Sequence, residues 1–415
     1  MRQSKWFPLY ISQYLGVMND NLLKHLIIFV SVAWVAESSQ ELVISAAAAM
    51  LVIPYILFSP LAGRLAQIKN KQQIFEWAKV AEMPIMALAI AGFYTNSLAI
   101  VMIAMFLMGV QSAIYSPAKY GLIRDVGGVE EISQASGSME LLTFLGVLLG
   151  TVAAGYIADI VNSQKEIIAG SLMILAVFGW LSSKRIKVQE EAPDREALQS
   201  LWPLKFVWDT FKWSKTVPGL NYTVLGLGFF WLIASLLQLN IIVHLQEESI
   251  YGLSKSDVGL VNAGIAVSMG IGCWAAGLLS KQKVELGLVP VGGIAMAIGS
   301  TIMALLPMAL IPFLAVLFAT AFFAGFFKIP LNAWMQERVP GRHLGKVLAY
   351  NNNLVFIFLL LSAAILGYVG TVGNSYDVFK VTALCAWVIV TVMWLVMPEM
   401  RKRVKGVFGR REVGV

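Results

Sequence analysis

Charged and amide side chains lie inside long apolar segments, where an ionised group costs on the order of 3 kcal/mol in lipid. The first segment contains Asn19, Asp20, Asn21 and Lys24. Asp20 and Lys24 are four residues apart, so a helix places them on one face where they can pair. The residues therefore form either a binding face that lines a polar cavity or a self-neutralised pair that only eases insertion. Three consecutive polar residues favour the binding face.

A second candidate lies in the fourth apolar segment, where Tyr115 and Tyr120 flank Lys119. Pro117 removes a backbone donor and opens the helix at this point. A lysine here either binds an anionic group such as a phosphate or extends its ammonium to the membrane surface. The sequence leaves both roles open.

Further ionisable residues occur in the third and fifth segments. Glu76, Lys79 and Glu82 are spaced three apart on one stripe, which favours a structural charge network that holds helices together. Glu140 lies one turn beyond Gly137 in an apolar stretch, which makes it a functional-site candidate. Polar side chains of the later segments complete the predicted site: Gln238, Asn332, Gln336, Glu337 and Asn353.

Sequence patterns of common enzymes are missing from the chain. It contains no Walker A sequence, no HExxH or CxxC metal spacing, no GxSxG motif and no HxxxxD acyltransferase pattern. The two cysteines, Cys273 and Cys385, lie in apolar stretches and imply no disulfide framework. The sequence therefore predicts a protein without catalytic residues, metal or cofactor.

The composition indicates a membrane protein. Of 415 residues, 58% are hydrophobic and 13% are charged, and the mean hydropathy is +0.74. Soluble domains carry about 25% charged residues, so this chain cannot cover a water-facing surface. The sequence predicts twelve membrane-spanning helices, at about 7–36, 41–66, 72–93, 97–122, 134–160, 165–182, 218–246, 256–280, 286–306, 309–337, 343–370 and 376–397.

The basic residues are distributed unequally between the two sides of the membrane. Of 31 Lys and Arg residues, 24 lie on the side of the N-terminus, three lie on the other side and four lie within the segments. Because cytoplasmic loops are enriched in Lys and Arg, we expect both termini in the cytoplasm. This distribution explains the pI near 9.2 without a nucleic-acid partner.

The twelve segments divide into six and six about a polar stretch, 183–217. A weak repeat supports duplication, since Pro117 and Pro330 are 213 residues apart, as are Glu140 and Asn353. We predict an all-α membrane protein with two pseudo-symmetric six-helix bundles, the arrangement of major facilitator transporters. The predicted parts are an N-terminal bundle at 1–182, a cytoplasmic linker at 183–217, a C-terminal bundle at 218–398 and a basic cytoplasmic tail at 399–415.

Over nearly its whole length the chain resembles the lysophospholipid transporters of the major facilitator superfamily. The strongest match is the span-four signature, YSPAKYG at 115–121. Other matches are DN at 20–21, YILFSP at 55–60, GSME at 137–140, and PLNA at 330–333 followed by QER at 336–338. As a set, these motifs are much more specific than any one of them.

The resemblance implies a function. That family carries lysophospholipids, chiefly lysophosphatidylethanolamine, across the bacterial inner membrane by flipping that needs no ion gradient. A membrane acyltransferase then restores the diacyl lipid, so a functional link to such an enzyme is expected. For this chain the resemblance implies a monomer with a charged cavity, in which Asp20, Glu140 and Glu337 supply carboxylates and Lys119 binds the phosphate of a zwitterionic headgroup.

Two positions depart from the family pattern. Gln238 stands where the family has an arginine that faces the span-one aspartate, which leaves Asp20 to pair with Lys24 or to bind a cation directly. Gln67 replaces the superfamily's loop aspartate. Two alternatives therefore stay open: a proton-coupled exporter of another amphipathic or cationic molecule, and a scaffold subunit of a membrane acyltransferase.

Overall fold

The computed structural model describes residues 5–160, 165–188, 190, 200–280 and 283–409. The predicted linker charges between 191 and 199 and the tail beyond 409 lie outside these residues. The described chain forms helices α1 (Phe7–Val30), α2 (Glu37–Ile68), α3 (Lys71–Tyr94), α4 (Leu98–Gly127), α5 (Ile132–Ile160), α6 (Lys165–Ser183), α7 (Pro203–Ser214), α8 (Leu220–Gln246), α9 (Lys255–Ser280), α10 (Leu288–Leu305), α11 (Leu310–Arg338), α12 (Gly341–Val372), α13 (Ser375–Val396) and α14 (Pro398–Gly409).

Twelve helices of the described chain are long enough to cross a membrane, and α7 and α14 are short. Ten of the twelve also have the hydropathy of a membrane span. The other two, α1 and α3, are 24 residues each, which is about 36 Å at 1.5 Å per residue. Both carry charged residues within their length, which lowers their hydropathy. The predicted all-α membrane fold is confirmed.

The chain forms two compact units. Unit 1 consists of residues 1–128, 142–210 and 340–353, and unit 2 consists of 129–141, 211–339 and 354–415. Helices α5 and α12 therefore each contribute to both units. The predicted repeat of 213 residues would relate the two exchanged segments, 129–141 and 340–353. The two six-helix bundles at 1–182 and 218–398 that the sequence repeat suggests stay a prediction.

Within unit 1, α1 packs on α6, and α4 packs on both α2 and α3. Glycines permit the closest approaches between these helices. A Cβ atom at Gly109 of α4 would lie 2.6 Å from the Met50 carbonyl oxygen of α2, and one at Gly150 of α5 would lie 2.4 Å from the Met18 carbonyl oxygen of α1. Small residues let backbones touch in this way, which is how membrane helices gain packing energy without a hydrophobic driving force.

Unit 2 is built around α11, which packs on α8, α9 and α10, while α13 packs on α8 and α10. The backbones of α9 and α11 approach each other closely at two glycines. A Cβ atom at Gly272 would lie 1.9 Å from the Phe322 carbonyl oxygen, and one at Gly325 would lie 2.3 Å from the Cys273 backbone nitrogen. These two glycines set the distance between the helices.

We expect the substitution Gly272→Val to destabilise the protein, because the new side chain must push α9 away from α11. The cost of such overpacking is about 3 kcal/mol, and thermal unfolding of the purified protein in detergent measures it. Gly367→Val is the matched control, because Gly367 has no atom within 4 Å of its Cβ position. Equal unfolding temperatures for the two variants would show that the backbone contact is not present.

Candidate functional site

Asp20 is half-buried on α1 and meets a hydroxyl group of α4. The Ser112 Oγ atom lies 3.3 Å from Asp20 Oδ2 and 3.1 Å from Gln111 Oε1. The Gln111 amide in turn donates to the Ala78 carbonyl of α3 at 3.0 Å. A chain of polar contacts therefore connects Asp20 with α4 and α3 inside unit 1.

Of the two alternatives for α1, the self-neutralised pair of Asp20 and Lys24 is not formed. Among the described residues, the two side chains form no ion pair within 4.0 Å. The hydrogen bond to Asp20 comes from Ser112 on the neighbouring helix. Asn21, between the two, donates to the Val17 carbonyl of its own helix at 2.9 Å. A spacing of four residues permits a pair along a helix, but a donor on another helix competes for the same carboxylate.

A buried ion pair lies close to this position. Lys79 Nζ is 2.8 Å from Glu82 Oε2, and both residues are 1% exposed. The Asn19 amide donates to the other Glu82 oxygen at 2.7 Å. Lys79 fits against Gly16 of α1, where a Cβ atom would lie 2.2 Å from its ammonium nitrogen. The Lys79–Glu82 pair agrees with the predicted structural network. Glu76, the third member of the predicted stripe, accepts a hydrogen bond from the Gln72 amide at 3.0 Å.

Lys119 is half-buried and extends back over the aromatic rings beside it. Its ammonium nitrogen lies 4.6 Å from the Tyr120 ring centroid and 5.3 Å from that of Tyr115, within the range of a cation–π contact. The Tyr115 hydroxyl donates to Gln13 at 3.3 Å, and the Gln13 amide donates to Thr143 at 3.0 Å. Tyr115 thus connects α4 to α1 and, through Gln13, to α5. The Lys119 ammonium lies over the Tyr115 ring.

The first part of α12 contributes amide side chains to unit 1. Asn353 donates to a backbone carbonyl of α2 at 2.9 Å, and Asn352 donates to the Ser116 hydroxyl at 2.8 Å. Gln67, which replaces the superfamily's aspartate, has its amide nitrogen 3.3 Å from the His343 ring nitrogen. A neutral side chain therefore makes the contact at the position where the family pattern has an acid.

Glu140 forms a buried ion pair in unit 2. Lys328 Nζ lies 2.7 Å from Glu140 Oε2, and the two residues are 2% and 3% exposed. The same ammonium lies 4.6 Å from the centre of the Trp231 ring and 5.6 Å from that of Phe230. One carboxylate and two aromatic rings therefore surround the Lys328 ammonium.

The remaining predicted residues lie in unit 2 without a shared centre. Gln336 donates to the Ser136 hydroxyl at 3.4 Å, Asn332 and Glu337 are half-buried, and Gln238 is exposed on α8. The structure thus divides the predicted set. Seven residues are in unit 1 and five in unit 2: Asp20, Asn21, Lys24, Tyr115, Lys119, Tyr120 and Asn353, against Glu140, Gln238, Asn332, Gln336 and Glu337.

Sequence reasoning missed several partners of these residues. Ser112 and Gln13 are ordinary polar residues in an apolar helix, and Trp231 carries no charge. Lys328 and Glu140 were each recognisable as ionisable residues in apolar segments, but their spacing in the chain gives no sign that they pair. Lys79 and Glu82 did carry a signal, because a spacing of three residues places them on one helix face.

We expect Glu140→Gln to destabilise the protein by about 3–5 kcal/mol, because it leaves the ammonium of Lys328 buried without its carboxylate. The double variant Glu140→Gln/Lys328→Met removes both charges and should regain most of the lost stability. Thermal unfolding in detergent checks both, with the half-buried Glu337→Gln as the control. A double variant that is no more stable than Glu140→Gln alone would refute this account of the pair.

The chain is similar to a known protein family and to named relatives. The sequence profile of the Major Facilitator Superfamily matches residues 7–363. A protein named lysophospholipid transporter from Salmonella arizonae is 27% identical over 338 residues, which is 79% of each chain. Its namesake from Klebsiella pneumoniae is 26% identical over 395 residues, which is 91% of this chain and 94% of the relative.

Solved structures of transporters share the fold. The human organic anion transporter MFSD10 superimposes with a TM-score of 0.75 at 13% identity, over 93% of this chain and 99% of its own. The transporter FucP in its outward conformation also gives 0.75 at 13% identity, over 93% and 97%. At this identity the likeness concerns the fold alone.

Proposed function

This chain belongs to the major facilitator superfamily, and from that premise we propose that it carries lysophospholipid across the bacterial inner membrane by alternating access. Two findings support lysophospholipid as the substrate: the relatives that bear the name of lysophospholipid transporters and the family signature at 115–121. The chemistry of a zwitterionic headgroup, with one ammonium and one phosphate, then has to be matched to side chains of this chain.

The observation that carries the proposal is the state of Asp20. Glu82 and Glu140 are each buried against a lysine ammonium, whereas Asp20 is half-buried and meets the Ser112 hydroxyl. A carboxylate at membrane depth costs free energy unless it has a function or a cationic partner. We therefore assign Asp20 to the ammonium group of the substrate.

Lys119 supplies the opposite charge in this proposal. Ser112 and Lys119 are seven residues apart on α4, so they lie on one face of the helix, about 10 Å apart along its axis. The Lys119 side chain extends back over Tyr115, which lies between them, and so brings its ammonium toward Ser112 and Asp20. A headgroup bound here has its ammonium at Asp20 and its phosphate at Lys119.

Glu140 has a second role in the proposal. Lys328 is a primary ammonium held by a carboxylate and an indole ring, and the ethanolamine of a headgroup is also a primary ammonium. We infer that a headgroup ammonium competes with Lys328 for Glu140 during the transport cycle. Aromatic rings and carboxylates are the groups that recognise such cations.

The wider proposal concerns the cell. We propose that the protein is a transporter and not an enzyme, that it acts as a monomer, and that its termini lie in the cytoplasm, as the Lys and Arg distribution favours. A membrane acyltransferase that uses the delivered lysophospholipid is the expected functional partner. No step requires nucleic acid or a cofactor.

The proposal predicts that cells that express this chain take up labelled lysophosphatidylethanolamine and continue to do so with a protonophore present. Asp20→Asn should lower uptake at least about tenfold, because an interaction with a charged group is worth about 1.5–3 kcal/mol. Asp257→Asn is the matched control, since it removes an exposed carboxylate at the start of α9 that accepts a hydrogen bond from Ser254. Uptake is measured per molecule of protein in the membrane.

Two outcomes would change the assignment. Uptake abolished by the protonophore in the unaltered protein would favour the proton-coupled exporter of another amphipathic molecule. The folded double variant Glu140→Gln/Lys328→Met tests Glu140 separately. If this variant transports at the normal rate, Glu140 is a structural residue and Asp20 alone binds the ammonium.

A further inference from the structure

Helix α7 is too short to cross a membrane, and one of its faces is covered by the protein. It has 12 residues, whereas a membrane span needs about 20. Phe206, Thr210 and Ser214 follow one another at intervals of four residues, so they share a face, and all three are fully buried. The opposite side of the helix is exposed, so water, lipid or another protein has to cover it.

The exposed side has an apolar edge. Leu204 is 74% exposed, and Trp208, one turn later on the same face, is 56% exposed. Leu201 and Trp202, just before the helix, are exposed as well. Adjacent large apolar side chains mark a contact surface, and tryptophan is enriched where helices meet the lipid headgroups. The apolar edge therefore suits the boundary between headgroups and acyl chains.

A basic edge runs beside the apolar one. Lys205 and Lys212 are exposed and seven residues apart, so they lie on one face of the helix, next to Trp208. Lys215, just after the helix, is exposed too, whereas the acid of the helix, Asp209, is half-buried. The fully exposed charges of this segment are thus all positive.

The end of α7 is held against the start of a membrane span. The Asn221 amide, in the first turn of α8, donates to the Phe211 carbonyl of α7 at 3.1 Å. Val217, in the short connection between the two helices, donates its backbone N–H to the Ser214 carbonyl at 3.2 Å. Because α8 has the length and hydropathy of a membrane span, the end of α7 lies at the level of the lipid headgroups.

The charges favour lipid over a second copy of the chain as the partner of this side. Two copies that met through it would bring lysines against lysines. The anionic surface of a leaflet attracts the same lysines, and each lysine near such a surface strengthens binding about fivefold. An apolar edge with tryptophan beside a lysine edge is the pattern of helices that lie in the membrane interface.

We propose that α7 is an in-plane helix that docks on the anionic lipid surface of the leaflet at which α8 begins. Leu204 and Trp208 insert at the boundary of the acyl chains, and Lys205 and Lys212 contact lipid phosphates. This surface is separate from the substrate site, and the proposal holds whichever molecule is carried. Because the division between the units falls within α7, after Thr210, docking attaches the segment that connects them to the membrane.

The test measures the depth of α7 in vesicles of phosphatidylethanolamine and phosphatidylglycerol. The full-length protein carries Cys385→Ser, which leaves only the buried Cys273, and one nitroxide label at a time on Leu204→Cys or Trp208→Cys. Ser249→Cys, at an exposed position between α8 and α9, is the control. Relaxation of the label by oxygen, which concentrates in lipid, is compared with relaxation by a water-soluble nickel chelate present on both sides. We expect oxygen to dominate at the two α7 positions and the chelate at the control.

Two double variants test the lysines. Lys205→Gln/Lys212→Gln should weaken the attachment of α7 about 25-fold, a factor of about five for each lysine, so that the chelate reaches the label on Trp208→Cys. Vesicles of phosphatidylcholine alone should have the same effect on the unaltered helix. Lys402→Gln/Arg403→Gln is the matched control, because it lowers the net charge equally at exposed positions of α14, and it should leave the label at its depth.

Each outcome decides the proposal. Labels on α7 that oxygen relaxes more than the chelate, and that lose this preference only in Lys205→Gln/Lys212→Gln, support it. A label on Trp208→Cys that the chelate reaches as readily as the label on Ser249→Cys shows that the helix lies in water, which overturns the proposal. Shielding from both reagents shows that protein, such as a second copy of the chain, covers this side, and that also overturns it. Equal shifts in the two double variants mean diffuse attraction and overturn the docking through Lys205 and Lys212.

Discussion

A charge inside a membrane must find an opposite charge or a strong hydrogen-bond donor within the protein, because lipid offers neither water nor counter-ions. In the part of the chain that the structure describes, the buried ion pairs Lys79–Glu82 in unit 1 and Lys328–Glu140 in unit 2 meet this constraint. The Lys79–Glu82 pair fixes neighbouring helices through Asn19. The half-buried Asp20 instead meets a hydroxyl group, and we propose that it takes its counter-charge from a substrate.

Helix α5 contributes residues to both units. Within one helical turn, its Thr143 bonds Gln13 in unit 1 and its Glu140 bonds Lys328 in unit 2. The headgroup ammonium is a suitable replacement for Lys328, since it restores the charge balance at Glu140.

Much of the fold follows from local sequence, because the length and hydropathy of a segment decide whether it spans the membrane. The prediction even included α1 and α3, whose polar residues lower their hydropathy, since their apolar flanks remained recognisable. The site was less predictable. Asp20 and Lys119 stood out as ions in apolar helices, but the pairing of Glu140 with Lys328 depends on which helices pack together. For the same reason the spacing could not decide whether Asp20 pairs with Lys24, because Ser112, which donates to Asp20, lies on another helix.

We propose that this chain moves lysophospholipid across a bilayer without an ion gradient, through a site that needs the Asp20 carboxylate. The most direct measurement uses vesicles of defined lipid composition that contain the purified protein and fluorescent lysophosphatidylethanolamine in the inner leaflet. Extraction of the outer leaflet by albumin then reports the lipid that has crossed. Our account predicts rapid crossing with no gradient imposed, and crossing at the rate of protein-free vesicles for Asp20→Asn. Crossing that occurs only when a pH gradient is imposed, or that is unchanged in Asp20→Asn, would contradict it.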